Sequence, residues 1–288
     1  MTDNDGTTSS DGTDPVIVAD DLQLTFHHGK QETKALDHVS FRVERGTTLA
    51  LVGQSGSGKS TTARTILGIQ KPDAGRAIVC GSDVHDLSQR ELRLLRQKMQ
   101  VVLQDPFGQL NRRHTVGRII EGALIAFNRG SRRERRERVA ELIRAVGLDE
   151  SYLGRNPREL SGGQCQRVAI ARALALQPEL VVLDEAVSAL DVSVRAQILN
   201  MLVQLQKDFG LTYLFITHDL AVARYMAHDI AVMHRGRIVE HSDRDTLFAN
   251  PKDPYTQGLI ASIPVGLPRG AAVRAEFDRR LELQLEDG

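Results

Sequence analysis

The run Gly53-Gln54-Ser55-Gly56-Ser57-Gly58-Lys59-Ser60 has the residue types that a triphosphate requires. Glycines let the backbone curl until several N–H groups converge on one anion, and a helix starting at the loop's end would aim its positive pole at the same point. Lys59 is placed to reach the β- and γ-phosphates, and Ser60 to hold Mg²⁺. Gly53, Ser55, Gly56, Gly58, Lys59, Ser60 and Thr61 are thus the candidate nucleotide contacts. A second group of chemically competent residues lies far along the chain, where Leu180-Val181-Val182-Leu183 runs into Asp184-Glu185. Two carboxylates at the end of an apolar strand suit a magnesium shell, held by Asp184, and a general base for water, Glu185.

These residues need a scaffold that holds loops rigidly at strand ends. Leu49–Val52 reads as the strand feeding the phosphate loop, and the apolar runs Ile17–Phe26, Val39–Val43, Val101–Leu103, Leu180–Leu183, Tyr213–Ile216 and Ile230–Met233 read as further strands. Several are followed by helical periodicity, which predicts a largely parallel α/β sheet. Between Arg112 and Leu160 the strand signal stops. There Ser131-x-x-Glu134 forms a capping box ahead of Val139, Leu142, Ile143 and Val146, spaced for one helix face. The region predicts a helical insertion, about residues 105–165. The Arg/Glu-rich run Arg129–Arg138 reads as a solvated helix face, because Glu134 and Glu137 interleave its arginines.

Composition narrows the function classes. Of 288 residues 41% are apolar, enough for a large core. Lys+Arg and Asp+Glu number 37 each, so no global basic field points to nucleic acid. Cys80 and Cys165 are the only cysteines, too few for a disulfide framework. No apolar stretch approaches the ~20 residues that span a bilayer. Residues 1–14 are acidic and read as a disordered tail, residues 15–250 as one α/β domain, and 251–288 as a Pro-punctuated extension with a short helix near Tyr255–Ser262.

The phosphate loop alone fits kinases, GTPases, helicases and transporter ATPases. Leu160-Ser161-Gly162-Gly163-Gln164, lying between that loop and Asp184-Glu185, resembles the signature of ABC ATPases. A Ser-capped helix with glycines could produce the same string, but the order of all three motifs is that of the family. The resemblance, over about Ile17–Ile263, implies an α/β P-loop NTPase (RecA-like) core with an inserted helical subdomain and an antiparallel β portion near the N-terminus. It also implies roles for single residues. Gln104 resembles the Q-loop glutamine that contacts magnesium and water, Ser188-Ala189-Leu190-Asp191 the D-loop, with Asp191 at its end, and His218 the switch histidine that senses the γ-phosphate. Phe26 is the aromatic expected to stack on adenine, with His27 and His28 as neighbouring alternatives. Ser161 and Gly163 are expected to face ATP held by another subunit, so that one chain forms only half of each site.

Gln104-Asp105-Pro106-Phe107-Gly108-Gln109-Leu110-Asn111, Asp184–Ser193 and Asn250–Leu259 are similar to the second ATPase of oligopeptide and dipeptide importers, in the peptide/nickel importer group. That implies ATP and Mg²⁺ as cofactors. The implied partners are a second, non-identical ATPase, two membrane permeases and an extracytoplasmic binding protein, at the cytoplasmic face of the membrane. Nickel as cargo, or a soluble ABC ATPase outside transport, is the alternative. Cys165 stands where the family commonly carries a longer polar residue. The C-terminal cysteine cluster of some relatives is missing from the sequence, so no iron–sulfur centre is expected.

Overall fold

The computed structural model describes residues 14–28 and 31–263. The acidic tail up to Thr13, and the extension beyond Ile263 with Pro264 and Pro268, lie outside the described residues.

Among the described residues, ten strands form two sheets. In the first, β1 (Ile17–His28), β2 (Gln31–Val43), β4 (Ala74–Val79) and β5 (Ser82–Asp83) pair in the order β2-β1-β4-β5, all antiparallel. The second sheet contains β3 (Thr48–Val52), β6 (Met99–Val102), β7 (Leu180–Asp184), β8 (Thr212–Thr217), β9 (Asp229–His234) and β10 (Arg237–Asp243), in the order β10-β9-β3-β8-β7-β6. Every pairing in it is parallel except that of the edge strand β10 with β9.

The interior strands of this sheet are apolar between their end residues because both faces are covered, as parallel sheets require. Side chains alternate between the two faces. Val181, Leu183, Tyr213 and Phe215 enter one core, which continues into the helical region through Ile120, Leu142, Ile143 and Val168. Leu180, Val182, Leu214 and Ile216 enter the opposite core, shared with Ile17, Leu22 and Leu36 of the antiparallel sheet. Ala50, Val52, Ile230 and Val232 close a third cluster with Leu220 and Leu247.

No strand interrupts residues 103–179. Helices α3 (Val116–Ala126) and α4 (Arg132–Ala145) pack with α5 (Gly162–Leu174). The Ser131–Glu134 capping box forms, and Val139, Leu142, Ile143 and Val146 are buried. Arg133 pairs with Glu137 at 2.8 Å on the solvent side, and Arg135 with Glu121 at 3.1 Å.

Several elements differ from the sequence reading. Strand β2 starts at Gln31, not Val39, because its first half pairs with the outer part of β1, where polar residues alternate with apolar ones. The predicted strand end Leu103 lies beyond β6 and is exposed. Strands β4, β5 and β10, and helix α2 (Gln89–Lys98), have no counterpart in that reading. β4 buries only Ala77 and Val79 and the edge strand β10 has no fully buried residue, so neither carries a long apolar run. Helix α2 buries only Leu92 and Leu95 and is held by its own capping box, Ser88 with Glu91.

Candidate functional site

Strand β3 lies between β8 and β9; within this sheet the chain passes from β3 to β6 at one edge, and from β8 across to β9, so connections from the adjacent strands β3 and β8 leave in opposite directions. Such a switch point is where open α/β sheets leave a crevice for ligands. The phosphate loop emerges there and leads into α1 (Lys59–Ile66). Two of its glycines are required by their surroundings. A Cβ on Gly53 would lie 2.3 Å from the Met233 carbonyl oxygen, and one on Gly58 2.5 Å from that of Ala35. Both also have positive φ, 156° and 110°. Gly56, with φ 79°, meets nothing within 4 Å. Its demand is conformational alone, at the exposed crest of the loop.

Lys59 is nearly buried, and its Nζ donates to the carbonyl oxygens of Gly53 at 2.7 Å and Gln54 at 2.8 Å. Burial lowers the pKa of its ammonium, and the nearby charges of Glu185 and Asp184 oppose that shift. The hydroxyl of Ser60 donates to the Asp184 carboxylate at 3.1 Å. Burial raises the pKa of Asp184, the Ser60 hydrogen bond lowers it, and Glu185 raises it further; the net direction is up. An ionised Asp184 is therefore short of counter-charge, which a cation beside it would supply. The oxygen donors Ser60 and Asp184, with Gln104 lining the same space, match the hard-ligand preference of Mg²⁺, which takes one or two carboxylates and completes its shell from phosphates and water.

Ser55, Ser60, Gln104, Asp184, Glu185 and His218 line one open cleft of about 800 Å³. Four strands supply them: β3 through its loop, β6 just before Gln104, β7 ending in Asp184, and β8 just before His218. Glu185 has φ 48°, unusual for a residue with a side chain. Its N–H donates to the Ile216 carbonyl at 3.0 Å, and its own carbonyl accepts the Ser188 N–H at 3.1 Å and hydroxyl at 2.9 Å. The turn is thereby locked and the carboxylate aims into the cleft, 3.5 Å from Nδ1 of the half-exposed His218. A carboxylate and an imidazole at this distance around a phosphate-sized space can polarise a water and sense a terminal phosphate.

Other predicted residues lie elsewhere. Ser161 is the N-cap of α5, where its hydroxyl accepts the Gln164 N–H. Gly163 follows in the first turn, and a Cβ there would lie 2.4 Å from Cγ1 of Val194, so this glycine also serves packing within the chain. Asp191 is the exposed N-cap residue of α6 (Val192–Phe209). Neither Ser161, Gly163 nor Asp191 lines the cleft. Phe26 sits on β1, half-buried against the core of the antiparallel sheet, and it too is outside the cleft lining. His27 is exposed, 3.4 Å from Glu32.

The sequence reading passed over several residues that shape this site. Arg64 lines the cleft, and its position four after Ser60 on α1 was a readable signal, since both share one helix face. Gln109 folds the segment after β6: its side chain accepts the Leu103 N–H at 2.9 Å and donates to the Leu103 and Asp105 carbonyls. Arg195 donates to the Ser188 and Leu190 carbonyls and pairs with Asp219 at 3.4 Å, tying the turn after Glu185 to the one carrying His218. Leu259 and Ser262, from helix α9 (Pro254–Ala261) and the residue after it, also line the cleft. No local sequence signal marks these last contacts.

A family profile described as ABC transporter matches residues 36–188. The chain is 51% identical to a probable peptide ABC transporter ATP-binding protein of Sinorhizobium fredii, over 88% of this chain and 69% of that protein. It is 47% identical to the oligopeptide transport ATP-binding protein AppF of Bacillus subtilis, over 90% and 79%, and 48% identical to the dipeptide transport ATP-binding protein DppF of Escherichia coli, over 87% and 77%. Among solved structures, a dimeric ATP-binding cassette in a post-hydrolysis state with ADP and Pi superposes with a TM-score of 0.72 at 32% identity, covering 79% of this chain and 98% of that one. The cbiO1 protein of Clostridium perfringens, part of the cbiONQ transporter complex, gives 0.75 at 28% identity, covering 88% and 97%.

Proposed function

The chain belongs to the ABC transporter family as one of its ATPases, and from that premise we propose that it is the ATP-hydrolysing subunit of a peptide importer. The observation that carries this reading is the convergence of Ser60, Gln104, Asp184, Glu185 and His218 on one cleft at the phosphate loop. Its peptide cargo is supported by relatives named for oligopeptide and dipeptide transport at 47% and 48% identity.

In the proposed mechanism the loop's N–H groups and the Lys59 ammonium take the β- and γ-phosphates of ATP. Ser60, Asp184 and Gln104 would hold Mg²⁺, which would supply positive charge to offset that of the phosphates. Glu185 accepts a proton from the attacking water, and His218, facing Glu185, contacts the γ-phosphate. Phe26 or a neighbouring histidine stacks on adenine. Ser161, Gly163 and Asp191, which lie off the chain's own cleft, serve the nucleotide of a second ATPase subunit. ATP then bridges two half-sites, and its hydrolysis removes the bridge. Moving such a dimer from mostly open to mostly closed takes about 5.5 kcal/mol of differential binding.

No helix among the described residues is long and apolar enough to cross a membrane. In this proposal two permease subunits form the path, an extracytoplasmic protein delivers peptide, and the chain sits peripherally on the cytoplasmic face. Purification from native membranes, with mass spectrometry of partners and ATPase assay of the assembly, tests it. Two permeases, a second ATPase and a binding protein, with peptide-stimulated hydrolysis, are expected. A soluble homodimer, or ribosomal partners, would overturn the transport reading and leave the ATP chemistry standing.

A further inference from the structure

The segment after β10 is built onto the phosphate loop. Glu240 of β10 accepts the N–H groups of Lys252 at 2.8 Å and Asp253 at 3.0 Å. Asp253 in turn caps α9, accepting the Tyr255 N–H at 2.8 Å. Tyr255 is half-buried, its ring 4.0 Å from that of His234 at the end of β9, and its hydroxyl accepts the N–H of Gln54 at 3.2 Å.

That N–H belongs to the peptide unit joining Gly53 to Gln54, and the carbonyl of the same unit accepts the Lys59 ammonium at 2.7 Å. In a planar trans peptide the N–H and C=O point in opposite directions. Fixing one fixes the other, so Tyr255 on one side and Lys59 on the other hold a single peptide plane between them. The plane has a conformationally free neighbour, because Gly53 carries no Cβ to restrict it. Gln54 is exposed, so its N–H would otherwise be left to solvent, and a residue roughly two hundred positions later in the chain takes it instead.

We propose that Tyr255 is a positioning residue of the ATP site, holding the Gly53–Gln54 peptide so that its carbonyl places the Lys59 ammonium under the phosphates. The segment beyond β10 is then part of the nucleotide site, and Tyr255 tunes affinity for the phosphate chain without touching it. This inference rests on the ATP-site reading above.

The test compares wild type, Tyr255→Phe and Tyr255→Ala in equilibrium binding of MgATP and MgADP, together with Tm and the amide exchange rate of Gln54. Tyr255→Phe keeps the ring beside His234 and removes only the hydroxyl. It is expected to raise Kd for both nucleotides about fivefold, which is about 1 kcal/mol at 1.4 kcal/mol per tenfold. It should also speed Gln54 amide exchange and leave Tm within about 2 °C. Tyr255→Ala should show at least the same affinity loss with a lower Tm, from the lost ring. Unchanged Kd in Tyr255→Phe overturns the proposal. So does an affinity loss that comes with a fall in Tm of the size seen for Tyr255→Ala, because the hydroxyl would then be a structural bond. Failure of the wild type to bind either nucleotide would instead overturn the ATP-site reading itself.

Discussion

Replacing Gly163 by Ala separates two demands on one residue. The new Cβ would lie 2.4 Å from Cγ1 of Val194, against the 3.5–4.0 Å of an ordinary carbon contact. More than an ångström must therefore be found between the first turns of α5 and α6. Val194 is half-buried and β-branched, so its methyl cannot swing away cheaply. Overpacking of this kind costs about 1–3 kcal/mol, and the gain from placing Ala in a helix offsets up to about 1 kcal/mol. Taking about 2 kcal/mol for the overpacking, the net loss of roughly 1–2 kcal/mol lowers Tm by about 2–8 °C in a domain of this size. Adding Val194→Ala removes the colliding methyl and should return Tm to within about 2 °C of the Val194→Ala single variant. Turnover of the assembled transporter distinguishes the second demand. If Gly163 also meets the nucleotide of the neighbouring subunit, the double variant stays more than about tenfold below wild type despite its restored fold. A wild-type Tm in Gly163→Ala refutes the packing argument, and wild-type turnover in the double variant refutes the partner-facing role.

Three further outcomes are expected. Glu185→Gln should retain ATP binding while turnover falls by about 10²–10⁴, and unchanged hydrolysis removes Glu185 from the role of base. Because burial raises the folded-state pKa of Asp184 above its ordinary 3.8, the contribution of this group to nucleotide-free stability is fully present below that value and declines as pH rises through the folded pKa. Asp184→Asn should accordingly give a higher nucleotide-free Tm than wild type at pH 7.5, with the difference shrinking as pH falls toward about 4; an equal Tm at pH 7.5 counts against the argument. The Cys165 thiol, fully buried and pushed up to about 11 by its surroundings, should react with maleimide at pH 7.5 at least about a hundredfold more slowly in the folded protein than in denaturant, and fast labelling of the native chain would contradict that burial.

The phosphate loop was legible because each of its residues answers a local demand. Gly58 must hold φ 110° beneath the Ala35 carbonyl, and only glycine does so comfortably. The parallel strands were legible for a related reason, since burial on both faces of β3, β7 and β8 leaves a run with no polar break. Burial on one side only erases that signal. β4 exposes Ala74, Gly75 and Arg76, and β10 is half-covered along most of its length, so neither spells a strand. Helix α2 went unread although Ser88–Glu91 is the same capping box that marked Ser131–Glu134, because only Leu92 and Leu95 follow it as buried positions. Arg195 and Tyr255 were illegible for a different reason. Their partners are backbone groups of distant loops, and a backbone N–H or carbonyl carries no side-chain identity for a sequence pattern to match.

The placement of β3 between β8 and β9 sets a timetable for synthesis. Lys59 leaves the ribosome early, but the strands on either side of β3 begin about 150 and 170 residues later, and Tyr255 later still. At about 5–20 residues per second, the phosphate loop waits roughly 10–40 s between its own emergence and that of the residue that fixes its first peptide. A nascent chain can therefore display the whole glycine-rich motif while lacking the sheet that gives it shape. Nucleotide binding is then expected only after β9 has emerged, and a ribosome stalled before that point should hold a polypeptide that carries the motif without its activity.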